Sequence, residues 1–118
     1  MVITIQGKEY ELHFGIKFIR GMDEKYFYED SGIKYGAGLE LVYAKLVNHS
    51  PVALSDVLWM ATNTLTNRPT PAAVDRYLEE ECEDIDVLCD EVVNELKNGK
   101  VTRGPVAKVE ANLNAGQI

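Results

Sequence analysis

Residues 53–66 read ALSDVLWMATNTLT, and within them Leu54, Val57, Leu58, Ala61 and Leu65 recur at i, i+3, i+4, i+7 and i+11. That recurrence lays one apolar stripe along a helix of roughly three to four turns. Trp59 and Met60 fall off the stripe, on the back of the helix, where only Asp56, Asn63 and the threonines are polar. A helix that is apolar on more than one side is either surrounded within a bundle or half covered by a partner. The segment is therefore expected to be the central element of a mainly α fold, a bundle of about five helices.

Outward from this segment, Ser50-Pro51 breaks the chain before it and Pro69 with Pro71 after it. Leu39, Val42, Tyr43 and Leu46 mark a helix ending near Asn48, entered through the glycine-bearing KYGAG at residues 34–38. Phe18, Ile19, Met22 and Tyr26 mark another from Gly15 to about Tyr28, closed by the loop signal Asp30-Ser31-Gly32 with glycine as its left-handed cap. Thr70 at the N-cap and Pro71 at the first position start a helix running to about Glu81. Asp84 caps the cleanest amphipathic segment, with Ile85, Leu88, Cys89, Val92 and Leu96 on one face and Asn98-Gly99 at its end.

At the N-terminus, residues 2–12 alternate as a β-hairpin, with Ile3, Ile5, Tyr10 and Leu12 on one face and Gly7 in the turn. Either Gln6-Gly7 or Gly7-Lys8 serves as the central pair; the second pairs Ile5 with Tyr10. A lone hairpin is marginal in water, so that face must lie on the helices, which makes the fold α+β by strict count. The expected organisation is one domain over residues 1–99. Residues 100–118 lose the periodicity and are expected to be a flexible or docking tail, dispensable for folding, with at most a short strand at residues 106–109.

With 118 residues, 46% of them hydrophobic and 26% charged, the composition is that of an ordinary globular domain. The formal charge of −7 disfavours nucleic acid as a ligand, since phosphate needs a cationic surface. No apolar run approaches the roughly 18 residues that span a bilayer, and the N-terminus lacks a signal-peptide layout, so a cytoplasmic protein without a membrane partner is expected. Cys82 and Cys89, seven apart in a helical segment, would sit about 10 Å apart along the axis, too far for a disulfide.

No residues here promise chemistry. His13 and His49 have no sequence context joining them to either cysteine, and neither GxSxG nor HExxH occurs. The GAG of residues 36–38 is not a phosphate loop. Residues 79–95 hold nine carboxylates and no lysine or arginine, but the segment around Asp84 lacks the spacing of a calcium loop. No enzyme activity, cofactor or metal is expected. The expected docking surface consists of apolar residues off the core stripes, Leu41, Trp59, Met60 and Val87, rimmed by Glu80, Glu83, Asp86, Asp90 and Glu91. The competing reading buries Trp59 and Met60 inside the bundle.

Four blocks in order carry a resemblance: ITIQGKEYELHFGIKFIRGMDEKY at 3–26, IKYGAGLE at 33–40, PVALSDVLWMAT at 51–62 and RPTPAAVDRYLEE at 68–80. Together they resemble the tail assembly chaperones of long-tailed phages and prophages of Gram-positive bacteria, across about residues 3–96. The resemblance implies a non-catalytic helper of virion assembly. It would bind the helix-rich tape measure protein, keep it soluble, help recruit tail tube protein, and be absent from the mature virion. It also implies contacts with itself or with a frameshifted longer form. An acidic adaptor or regulator that binds a basic protein partner through residues 79–95 is the alternative from a different class.

Overall fold

The computed structural model describes residues 1–116. Strands β1 (Val2–Ile5) and β2 (Lys8–Glu11) form the expected antiparallel hairpin, with Ile3 opposite Tyr10 and Ile5 opposite Lys8. Gln6-Gly7 is thus the central pair, and both residues have positive φ, as a type I′ turn requires. Ile3, Ile5 and Leu12 are buried on the helices, and the His13 amide donates to the carbonyl of Ala61 at 2.9 Å.

Helix α1 (Ile16–Lys25) buries Phe18 and Met22, while Ile19 is half-buried. It stops three residues short of the expected end. Phe27–Asp30 and Ile33–Gly36 instead pair as a second hairpin, β3 and β4, around Ser31-Gly32, again with positive φ at both turn residues. Gly32 is therefore a hairpin residue and caps no helix. Two β-prone runs flanking a Ser-Gly pair find more hydrogen bonds as a ladder than as a fraying helix end.

Helix α2 (Gly38–Val47) follows directly. A Cβ on Gly38 would overlap the backbone of Met22, so glycine lets α1 and α2 approach closely. The Asp23 carboxylate accepts from the Gly38 amide at 2.8 Å, capping α2 from the neighbouring helix. Leu39, Val42, Tyr43 and Leu46 are fully buried. It is α2, not the segment at 53–66, that packs against four other helices.

Helix α3 (Pro51–Met60) opens with the Ser50 hydroxyl accepting from Ala53 and with Pro51 at its first position. It ends at Met60 rather than continuing to Thr66. Thr62 and Arg68 both donate to the carbonyl of Trp59, so side chains satisfy the last turn and the chain leaves the helix there. Leu65 consequently drops off the stripe and is half-buried, whereas Leu54, Val57, Leu58 and Ala61 are in the core.

Helix α4 (Pro71–Arg76) begins at the expected Thr70 cap and widens into a π-helical turn over Tyr77–Glu81. The chain is extended at Cys82, so the helical path between the two cysteines is broken; both are free. Asp84 accepts from the Val87 amide and opens α5 (Ile85–Asn98), which buries Leu88, Cys89, Val92 and Leu96.

The segment after Gly99 corrects the expected tail. Residues Arg103–Asn114 form α6, not a strand at 106–109, and Val106 is only 1% exposed. Gly104-Pro105 lies in the first helical turn, where a missing N–H costs nothing. Thr102 is buried and donates to the carbonyl of Leu96 at 2.7 Å, reversing the chain beside Gly99. Residues 117–118 of the expected tail lie outside the described residues. One apolar core runs from Ile3 in β1 to Val106 in α6, giving a mainly helical α+β fold of six helices and two small hairpins among the described residues.

Candidate functional site

The residues expected to form one docking surface are distributed over several places. Leu41 on α2 and Val87 on α5 stand in solvent, 44% and 51% exposed. Met60 does not: it is buried at the end of α3, against Gly21 of α1, where any side chain would collide with its sulfur. Trp59 is half-buried. Its indole N–H donates to the carbonyl of Pro69 at 3.0 Å, and the Arg68 guanidinium lies 3.7 Å above the ring. Burial lowers the Arg68 pKa, and the stacked pair pins the loop that leads into α4. Both residues thus serve the body of the fold.

The carboxylates divide into two groups. Glu83 and Glu91, with Val87 between them on the same wall, line a groove of about 610 Å³ whose opposite wall is Val2, Ile3 and Thr4 of β1. At one end of this groove Glu81 accepts from the Gln6 amide at 2.9 Å. Asp86 and Asp90 instead face His49, at 3.5 and 2.8 Å from its two ring nitrogens. His49 sits at the α2–α3 corner with a φ of 59°, an uncommon conformation for a residue with a side chain. Its hydrogen bond to Asp90, and the charges of Asp86, Asp90 and Asp84, raise its pKa above the ordinary histidine value despite opposing desolvation. Glu80 is exposed on the π-helical turn.

Four of the exposed large hydrophobics, Phe27, Tyr28, Ile33 and Tyr35, lie in the hairpin that the periodicity concealed. All eight strand residues of β3 and β4 are exposed. Tyr28 and Tyr35 stack with ring centroids 5.2 Å apart, and the Lys34 ammonium sits 4.2 Å over the ring of Phe27. Side chains alternate across a sheet, so Tyr28, Ile33 and Tyr35 share one face. The other face is anchored at its root, where Gly36 packs on Asp23. The signal in the sequence was the Ser31-Gly32 pair between two runs rich in Phe, Tyr and Ile.

Burial pushes the Cys89 thiol up to about 11, which leaves it a poor nucleophile at neutral pH. Among the described residues no group of three histidine, cysteine or acidic side chains is placed to hold a metal ion, and no helix is long and apolar enough to cross a membrane.

A family model described as phage tail assembly chaperone protein, TAC, matches residues 2–110, from the first strand into the last helix. No curated protein and no solved structure matches the chain.

Proposed function

This chain belongs to the phage tail assembly chaperone family, and on that premise we propose that it binds the tape measure protein and helps recruit tail tube subunits, without catalysis. It acts in the host cytoplasm while the tail is built and is left out of the finished virion. The observation that carries the tape measure reading is the β3–β4 hairpin, an exposed aromatic and aliphatic face with no covering element among the described residues. A long helical client exposes an apolar stripe, and covering such a stripe contributes about 25 cal/mol per Å², which charge alone would not supply.

Leu41 and Val87 offer further apolar contacts elsewhere on the surface, and Glu80, Glu83, Asp86, Asp90 and Glu91 meet lysines of the client. Trp59 and Met60 drop out of this surface because the fold uses them internally. The test is co-expression with a tape measure fragment. Replacing Tyr28 and Ile33 together by serine is expected to leave the thermal midpoint near wild type, since neither supports the core, while co-purification is lost. Retention of the client by the folded double variant would overturn the hairpin as its site.

A further inference from the structure

A second recognition mode is built into the other hairpin. In antiparallel pairs, hydrogen-bonded and non-bonded positions alternate along each strand. The two-residue turn at Gln6-Gly7 makes Ile5 and Lys8 a bonded pair, and Ile3 with Tyr10 is the next. Met1 continues the series, its carbonyl accepting from Leu12 at 2.8 Å. Val2 and Thr4 therefore aim their N–H and C=O groups away from β2, off the free edge of a two-stranded sheet. Gln6, next on that edge, sends its N–H to Glu81, so the edge looks across the groove at the Tyr77–Leu88 wall. Among the described residues, the main-chain groups of Val2 and Thr4 have no hydrogen-bond partner.

We propose that this edge is a strand-addition site: an extended segment of a partner protein, alternating apolar with lysine or arginine side chains, pairs with β1 inside the groove. The unpaired main-chain groups of Val2 and Thr4 supply the ladder, over a strand about 13 Å long at roughly 3.3 Å per residue. Tyr77, Val87 and Leu88 receive the apolar side chains. The charge of the occupant follows from the far wall, where Glu81, Glu83, Asp84 and Glu91 stand with no lysine or arginine among the lining residues. This goes beyond helix capture, because it reads the main chain of an extended partner, and it shares only Val87, Glu83 and Glu91 with the surface proposed above.

The experiment uses the full chain, labelled with ¹⁵N, and a ten-residue capped peptide of alternating lysine and valine. Without peptide, the Val2 and Thr4 amides are expected to exchange freely while those of Ile3 and Ile5 are protected. With peptide, Val2 and Thr4 should gain at least tenfold protection. Thr4→Pro removes one outward N–H and spares the bonded pairs, so it should keep the thermal midpoint and weaken binding about tenfold. Glu83→Lys with Glu91→Lys should weaken it comparably and flatten its salt dependence. If Thr4→Pro fails to fold, the exchange measurement on the natural chain decides alone. No binding, binding without protection of Val2 and Thr4, equal binding of a glutamate–valine peptide, or protection that appears on concentrating the protein without peptide would each overturn the proposal. Since no tape measure fragment takes part, failure here leaves the co-purification result standing, and the reverse also holds.

Discussion

The Tyr43 hydroxyl, buried under α2, donates to the carboxylate of Glu110 on α6, so the helix with the most neighbours is tied to the last helix of the chain. Val106 packs into the same core one turn earlier. Removing residues 100–118 is therefore expected to lower the thermal midpoint and broaden the transition, the reverse of what a tail would do. Val106→Ala should cost about 2 kcal/mol, from roughly 0.8 kcal/mol per buried methyl-sized group plus the cavity left behind. Chemical denaturation of both variants checks this, and an unchanged transition in the truncated chain would show that α6 does not support the core.

Leu58 is fully buried on α3, within the stripe from which the fold was legible. Leu58→Ala is expected to cost about 2–5 kcal/mol, a large share of the stability of a domain this size. Its urea midpoint measures the loss.

Two glycines should respond to alanine to different degrees. Gly38→Ala would place a methyl into the Met22 backbone, which cannot swing aside as a side chain can, so a loss at or beyond about 1–3 kcal/mol is expected. Gly104 lies in the first turn of α6 with open space around it, but it precedes Pro105, whose ring disfavours a helical residue bearing a Cβ, so Gly104→Ala gains no helix propensity and should shift stability by no more than about 0.5 kcal/mol. Paired thermal melts of the two variants test the close approach of α1 and α2.

Alkaline pH should act on two phenols that donate to carboxylates. Burial, and then the hydrogen bond to Asp56, pushes the Tyr26 hydroxyl up to about 12, and burial with Glu110 moves Tyr43 upward likewise. An unfolded tyrosine ionises near pH 10. The folded state favours the protonated phenols, so their stabilisation is fully present below about pH 10 and is lost as pH climbs from there towards 12. Tyr26→Phe with Tyr43→Phe should flatten stability across that window, as followed by equilibrium unfolding at stepped pH.

What the sequence made legible was local. Ser50, Thr70 and Asp84 cap the helices expected of them, because a capping side chain needs only the amide two or three residues on. The first hairpin follows from strict alternation around a glycine. The second was hidden because Tyr26 continues the helical spacing of Phe18 and Met22, and Ser31-Gly32 serves equally to stop a helix or turn a hairpin. Helix α6 was hidden by Gly104-Pro105, which breaks a helix interior but is harmless in its first turn. The burial of Met60 depends on Gly21, some forty residues earlier; no period along one helix reports a neighbour so distant in the chain. Of the expected docking residues, only those whose surroundings are solvent could be placed by periodicity alone.

The β3–β4 hairpin is fastened at its root, where the Ala37 amide donates to the Tyr26 carbonyl at 3.2 Å and Gly36 rests on Asp23. Beyond that root, its side chains already face water. Opening residues 27–36 uncovers the sheltered parts of Phe27 and Tyr35 but no residue of the core, so the free energy of such an opening should respond to denaturant less than that of the whole molecule, since the effect scales with the area uncovered. Amides in this hairpin will exchange through local openings that urea accelerates less than global unfolding, while those of α2 wait for the whole molecule to open. The protein therefore contains a segment whose folding can be set by a partner without any change in the stability of the core.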